Sequence, residues 1–398
     1  MDNIANEMLI ILENHGFPSY KVGGCIRDQL LGLQVKDIDI ATAAKPEQVM
    51  EIFPKSIPTG IQHGTLTIPY KGDLFEVTTF RIDKEYKDHR HPSGVEFVDR
   101  IEQDLSRRDF TINAMAMDRS GNIIDPYGGG KDLQNKMIRA VGDPYQRFEE
   151  DPLRVLRGIR FSSRLDFAIE RQTWQAMLST GKQLVHISKE RIRDEWRKII
   201  ESDTALQGLR LLGEPGLLPF EEWRNLFATC SKNFHNNPIL VYEKPAFRWA
   251  VLLALGRVEK SISLFTLWKF PKLLIQEIQS YLDIIFAPLP SDLEVKKLLA
   301  MHGLERTLEA FRIRSFIGWD GVQPDEGVLT QWDREFPIRS LKDLAIQGHD
   351  ILQVMGKPPG PWLGKTLRYL YERVAFHGFP NNSDQLLLEA RKVNEDEK

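Results

Sequence analysis

Between Tyr20 and Met117 the apolar positions come in short runs broken by Gly, Pro and Asp, and YKVGG, KDIDIAT, GTLTIPY, LFEVTTF and VEFV predict β-strands. KPEQVMEIF and CIRDQLLG predict helices between them. The acidic opening MDNIANEMLIILENHG has a brief apolar run and no basic leader, and predicts a helix, not a signal peptide. Beyond Asp143 apolar residues recur at three-and-four spacing, so no further strand is expected. The change falls at IIDPYGGGKDL, where Pro126 and Gly128 to Gly130 are expected to stop strand and helix alike. Further breaks are expected near Glu201–Asp203 and in the proline-rich APLPSD, and the end, VNEDEK, is expected to fray. The expected architecture is a small α/β head, residues 1–130, followed by all-helical segments at 131–200, 201–288 and 289–398.

A chain of 398 residues is too long for one ordinary core. Its net charge of -3 says little, because Lys131–Lys198 alone carries 15 basic against 10 acidic side chains, which suits a polyanionic ligand. No stretch approaches the roughly 20 apolar residues that span a bilayer. Cys25 and Cys230 form neither a CxxC pair nor a disulfide framework, as expected of a cytoplasmic protein.

In KDIDI, Asp37 and Asp39 are two apart on a predicted strand, so both carboxylates share one face while Ile38 and Ile40 take the other. Neighbouring carboxylates repel unless a cation lies between them, and Mg²⁺ fits one or two carboxylates plus water and phosphate. Glu76 in LFEVTTF is a candidate third carboxylate on a neighbouring strand. Upstream, Gly23 and Gly24 let backbone approach phosphate, ahead of a helix whose first turn carries Arg27. Alone, each pattern is a common turn or surface feature; in this order they form a rarer combination.

That order resembles the signature of the DNA polymerase β-like nucleotidyltransferase superfamily. Arg107-Arg108-Asp109, the segment DPYGGGKDL, and EDPLRVLRGIRF narrow the resemblance to class II tRNA nucleotidyltransferases of the bacterial CCA-adding type, close relatives of bacterial poly(A) polymerases. It is specific over residues 15–200 and looser beyond, where GHDILQVMGKPPGPWLGKTL resembles the family's tail. The resemblance implies a polymerase β-like catalytic head, then a nucleotide-selecting neck, a body and a tRNA-binding tail. It implies template-independent addition of C, C and A to the 3′ end of tRNA from CTP and ATP, with release of pyrophosphate. It also assigns Arg108, Arg157 and Arg160 to the nucleotide. An A-adding enzyme or a poly(A) polymerase would share these motifs. A silent RNA-binding protein or an antibiotic-modifying nucleotidyltransferase is a more distant alternative.

Asp151 and Arg154, three apart, would share a helix face. A carboxylate only accepts and a guanidinium only donates. Cytosine and adenine present an amino donor beside a ring-nitrogen acceptor, whereas uracil and guanine reverse that polarity, so this pair would select C and A without a template. The letters also read as a helix start, with Asp151 as N-cap and Pro152 first. Asp109 could serve to orient Arg107 or Arg108.

In RIDKEYKDHRHPSGVEF, His89 and His91 read as part of a solvated loop, and the resemblance links that loop to adenosine addition. Candidate RNA contacts are Lys296, Lys297, Arg312 and Arg314, with Lys357 and Lys365 around KPPGPWLGK, where a turn leads into a helix N-terminus. His349-Asp350 is a lone HD dipeptide and does not establish a phosphohydrolase.

Overall fold

The computed structural model describes residues 1–83, 94–202, 204–233, 244–259, 262–319 and 321–395. His89 and His91, with most of the loop that holds them, lie outside these. By internal packing the chain divides into one unit of Met1–Glu243 with Phe265–Phe270, and another of Lys244–Leu264 with Pro271–Lys398.

The first unit holds every strand described. They are β1 (Ser19–Val22), β2 (Asp39–Thr42), β3 (Ile57–Gly60), β4 (Thr65–Tyr70), β5 (Asp73–Thr79), β6 (Arg81–Asp83), β7 (Val95–Phe97), β8 (Ala116–Met117), β9 (Ile123–Ile124), β10 (Met137–Ile138) and β11 (Ala168–Ile169). Seven of them form a mixed sheet in the order β3-β4-β5-β2-β1-β8-β9. At its centre β2 runs parallel to β5 and antiparallel to β1, which sets Asp39 level with both Glu76 and Val22. Alternation puts Ile40, Phe75 and Val77 inside and leaves Asp39 and Glu76 exposed. Burying each such apolar side chain contributes about 1.5–3 kcal/mol, which fixes the register that presents the carboxylates.

Its helices are α1 (Asp2–Asn14), α2 (Gly24–Leu30), α3 (Pro46–Ile52), α4 (Ile101–Ser106), α5 (Gly129–Gln134), α6 (Pro144–Glu150), α7 (Leu153–Leu165), α8 (Arg171–Thr180), α9 (Lys189–Ile200), α10 (Ala205–Leu212) and α11 (Glu221–Asn233). Ile101 and Leu105 of α4 pack with Val22, Ala41, Phe80 and Ala116 of the sheet region. Further along, Trp196 of α9 stacks within 4.8 Å of Trp223 and 4.6 Å of Trp268, which ties the Phe265–Phe270 segment to this unit.

Two local expectations are corrected. Strands do not end at Asp143, because β11 pairs in parallel with β10; two residues are too few to show a periodicity. Nor do the glycines after Pro126 stop a helix. They begin α5, whose first N–H groups, at Gly129 and Gly130, donate to the Asp125 carboxylate at 2.7 and 2.9 Å. A Cβ on Gly129 would lie 2.2 Å from the Thr111 carbonyl oxygen, so only glycine lets α5 meet the 3-10 turn at Thr111–Asn113.

The second unit is helical among its described residues: α12 (Pro245–Leu255), α13 (Ile262–Leu267, which continues into the first unit), α14 (Lys272–Ile285), α15 (Asp292–His302), α16 (Leu304–Phe316), α17 (Glu326–Glu335), α18 (Gly348–Met355), α19 (Pro361–His377) and α20 (Ser383–Glu395). Every residue from Ala246 to Leu255 is buried, and all but Arg248 are apolar, so α12 is a central helix of this unit. Arg314, expected on an RNA-facing surface, is instead fully buried. Its Nη1 donates to the carbonyls of Ile284, Ile285 and Ala287 at 3.2, 2.6 and 2.9 Å, satisfying oxygens left over at the end of α14.

Gly129→Ala is expected to lose about 1–3 kcal/mol of stability, measured by denaturant unfolding, because the backbone must move to admit a methyl group. Arg314→Ala is expected to lose about 1.5–3 kcal/mol by the same measurement, since three buried carbonyls lose a charged donor.

Candidate active site

β1 delivers the chain to Gly23, whose φ of 76° turns it sharply into α2. A Cβ there would lie 2.6 Å from Nη1 of Arg108, so the bare glycine makes room for that guanidinium. From α2, Arg27 donates through Nη1 to Asn113 Oδ1 at 2.6 Å and through Nε to Asp28 at 2.8 Å.

The other arginines are held by buried acids, of which the sequence pointed only to Asp109. Asp104, 1% exposed, pairs with Arg107 at 2.9 Å and Arg108 at 3.3 Å. Burial alone would raise its carboxyl, but the two guanidiniums outweigh it and hold it below the ordinary carboxylate range. Asp109 does not orient Arg107 or Arg108; it reaches Arg157 of α7 at 2.7 Å. It also accepts from Asn113 Nδ2 at 3.1 Å and from the Phe110 N–H at 2.8 Å. Burial is again overcome, chiefly by Arg157, and Asp109 is held down to about 2. Arg160 pairs with Glu195 of α9 at 2.8 Å. Asp104 lies three and four positions before its two partners, a signal available from spacing. The pairings of Asn113 with Arg27 and of Glu195 with Arg160 arise only through tertiary packing.

Asp151 is not on the helix with Arg154. It ends α6 and precedes α7, and Pro152, not Asp151, takes the position before the first helical residue. Its Oδ1 accepts from the Leu153 N–H at 3.0 Å and its Oδ2 pairs with Arg191 at 3.1 Å. The helix-start reading of Asp151 therefore contains part of the geometry. Arg154 is buried, donating to Glu150 at 2.7 Å and to the carbonyls of Arg147 and Arg107 at 3.0 and 3.2 Å.

On the sheet, Asp37 lies just ahead of β2, yet both it and Asp39 are exposed while Ile38 and Ile40 are buried. Desolvation, then the charge of Glu76, raises the Asp39 carboxyl above its ordinary range, with Asp37 adding to the effect. Among the described residues no three His, Cys, Asp or Glu side chains are gathered closely enough to enclose a metal ion by themselves. The acidic patch therefore offers two neighbouring carboxylates with Glu76 nearby, and leaves further positions to other oxygen donors.

These elements surround one cavity of about 520 Å³. Gly24, Arg27, Asp39, Arg108, Asp151, Arg154, Arg157 and Arg160 all line it; Asp37 and Glu76 do not. Eight arginines against three aspartates give the lining a strong positive excess, matched to a polyanion. The cavity thus joins a carboxylate of the acidic patch to the Asp151/Arg154 pair.

In the second unit, Lys296 stands 4.6 Å from the Trp332 ring centroid, Lys297 pairs with Glu294 at 3.1 Å, and Lys357 stands 5.8 Å from the Trp362 ring centroid. Arg312 and Lys365 are exposed. His349 pairs with Asp350, whose carboxylate caps the start of α18. No helix among the described residues is long and apolar enough to cross a membrane.

A family model for the poly A polymerase head domain matches residues 19–139. Another, described as "Probable RNA and SrmB- binding site of polymerase A", matches 166–221, and one for tRNA nucleotidyltransferase domain 2 matches 242–390. The CCA-adding enzyme of Geobacillus sp. (strain WCH70) is 39% identical over 384 residues, spanning 95% of this chain and 93% of that one. The CCA-adding enzyme of Ligilactobacillus salivarius (strain UCC118) is 36% identical over 409 residues, spanning 100% and 99%. The crystal structure of the Bacillus stearothermophilus CCA-adding enzyme in complex with CTP matches with a TM-score of 0.82 at 34% identity, covering 99% of this chain and 98% of that one. With such identity carried along nearly its whole length, the chain belongs to the CCA-adding enzyme family of tRNA nucleotidyltransferases.

Proposed function

We propose that this chain adds C, C and A in turn to the 3′ end of tRNA, without a template, from CTP and ATP, releasing pyrophosphate in the cytoplasm. The observation that carries this is the single cavity that Asp39, Asp151, Arg154 and the phosphate-sized cluster of arginines all line. The names of the relatives favour full CCA addition over A-only addition or polyadenylation. The two cysteines, both buried and not joined in a disulfide, suit a reducing compartment.

Asp37 and Asp39 are the residues that would hold Mg²⁺: hard oxygen donors whose mutual repulsion a cation relieves. When bound, the ion neutralises phosphate charge and favours the ionised form of an attacking hydroxyl. Glu76 extends the acidic patch from the neighbouring strand. Gly24, Arg27, Arg108, Arg157 and Arg160 hold the triphosphate and sugar, leaving the α-phosphate toward Asp39. The tRNA 3′-hydroxyl attacks that phosphorus, and the bond to pyrophosphate breaks. Asp151 accepts from the exocyclic amino group of C or A while Arg154 donates to the ring nitrogen. Uracil and guanine would oppose carbonyl to carboxylate and N–H to guanidinium, leaving buried polar groups unpaired. Residues 1–130 thus act as catalytic head and 131–200 as nucleotide-selecting neck. The segments 201–288 and 289–398 form body and tail, and Lys296, Lys297, Arg312, Lys357 and Lys365 offer charge to tRNA phosphates.

The test is product analysis on tRNAs ending before the first C, the second C and the A, with all four nucleotides offered. Stepwise completion to CCA and no further is expected; poly(A) tails, or extension only of the CC-ended tRNA, would refute the proposal. Asp37→Ala and Asp39→Ala are each expected to lower incorporation by more than about a hundredfold with tRNA binding retained in a filter assay. Asp151→Ala is expected to raise misincorporation of U and G by at least about a hundredfold from a starting discrimination on the order of 10⁴. Competition between CTP and UTP measures it.

A further inference from the structure

Phe161 lies in α7, four residues after Arg157 and next to Arg160, so Arg157 shares its helix face. Three guanidinium carbons stand over its ring: Arg160 at 4.5 Å from the centroid, Arg27 at 5.1 Å and Arg157 at 5.4 Å. All four residues line the cavity. The ring itself is 4% exposed and anchored in the core, edge-on to Phe110 at 5.9 Å and 80°.

Three cations gathered this closely repel one another. Burial lowers the Arg160 guanidinium from its usual value, and the charges of Arg157 and Arg27 add to that effect. The acids oppose it, Asp28 paired with Arg27, Asp109 with Arg157 and Glu195 with Arg160, with the charges of Asp109 and Glu195 reaching both Arg157 and Arg160. These partners stand far apart in the chain, at positions 28, 109 and 195. The shared neighbour is the ring, whose negative π face attracts each cation without neutralising it. A carboxylate in that place would cancel charge that a polyphosphate needs; an aliphatic side chain would fill the volume without attracting anything.

We propose that Phe161 is a positioning residue, whose π face gathers Arg27, Arg157 and Arg160 into one site for the polyphosphate of the incoming nucleotide. This rests on the reading of the cavity as the nucleotide site. Arginines already ordered around the ring lose less side-chain freedom when the ligand arrives, so the ring acts on nucleotide affinity and not on the chemical step.

Ring electrostatics can be changed at nearly constant shape by placing mono-, di- and trifluorinated phenylalanine at position 161 of the full chain, beside Phe161→Leu. Affinity for CTP and for inorganic tripolyphosphate is measured calorimetrically, together with KM, kcat and thermal stability. Both affinities are expected to fall in step with fluorine number, to about tenfold weaker at the trifluorinated ring. KM for CTP and ATP should rise in parallel while kcat and melting temperature hold. Affinity that stays flat across the fluorinated series, or falls only in Phe161→Leu along with its melting temperature, overturns the proposal. Arg160→Gln separates the two readings: unchanged tripolyphosphate binding in that variant would overturn the cavity as a phosphate site. Weakened binding there with a flat fluorinated series overturns the ring's role alone.

Discussion

Like charges brought together repel unless something of opposite sign stands close by, and this active site meets that constraint twice. On the sheet, Asp39 sits level with Glu76 and two residues from Asp37, and its carboxyl is raised first by desolvation and then by the neighbouring charge of Glu76, with Asp37 adding to it. Around the cavity, eight arginines converge. Paired with them are Asp104, Asp109 and Glu195, each almost wholly buried, of which Asp109 also lines the cavity. A buried carboxylate without a partner would give up its charge or unfold the protein. Here the guanidiniums keep Asp104 and Asp109 ionised, and the acids in return fix where the guanidiniums point. The acids pair with the arginines in sufficient number to order them and too few to cancel them, so the lining keeps its excess of positive charge for a polyanion.

The two charged regions share a cavity and would quench each other if they met directly. Arg108 illustrates how this is avoided. Its positive charge already acts on Asp39, yet its two terminal nitrogens are occupied by Asp104 and by the Asn113 carbonyl. The space it fills is the one that Gly23 leaves open by lacking a Cβ. A side chain at position 23 would displace the guanidinium from that place, so the glycine pair serves the arrangement of charge as well as the turn.

Much of this was legible in the sequence because it rests on local periodicity. Alternation exposes Asp37 and Asp39 and buries Ile38 and Ile40, even though the strand begins only at Asp39. Arg154, Arg157 and Arg160 share one cavity because they share one helix, α7. What the sequence hid depends on elements far apart in the chain. Asp109 finds Arg157 across 48 positions and Arg27 finds Asn113 across 86, separations at which spacing carries no information. Arg314 misled for a related reason: the charge that suits a surface also suits the end of a buried helix, and only packing distinguishes the two. Asp151 looked like part of a helix because it stands three residues before Arg154, while the chain breaks at Asp151 between α6 and α7.

The long-range pairs matter because they connect into one chain of charge. Arg27 of α2 donates to Asn113 at 2.6 Å, Asn113 donates to Asp109 at 3.1 Å, and Asp109 accepts from Arg157 of α7 at 2.7 Å. The Asn113 amide can take only one orientation here, since a flipped group would set its NH₂ against a guanidinium and its oxygen against a carboxylate. Aspartate at that position would repel Asp109, and an aliphatic residue would leave Arg27 and Asp109 each short of a buried partner. An uncharged side chain that donates at one end and accepts at the other is what the place demands. Through it α2, the helix that follows the glycine turn, is tied to α7, the helix that begins just after Asp151. The placement of α2 against α7, which carry Arg27 and Arg157 to one cavity, is therefore held by hydrogen bonds inside one packed unit.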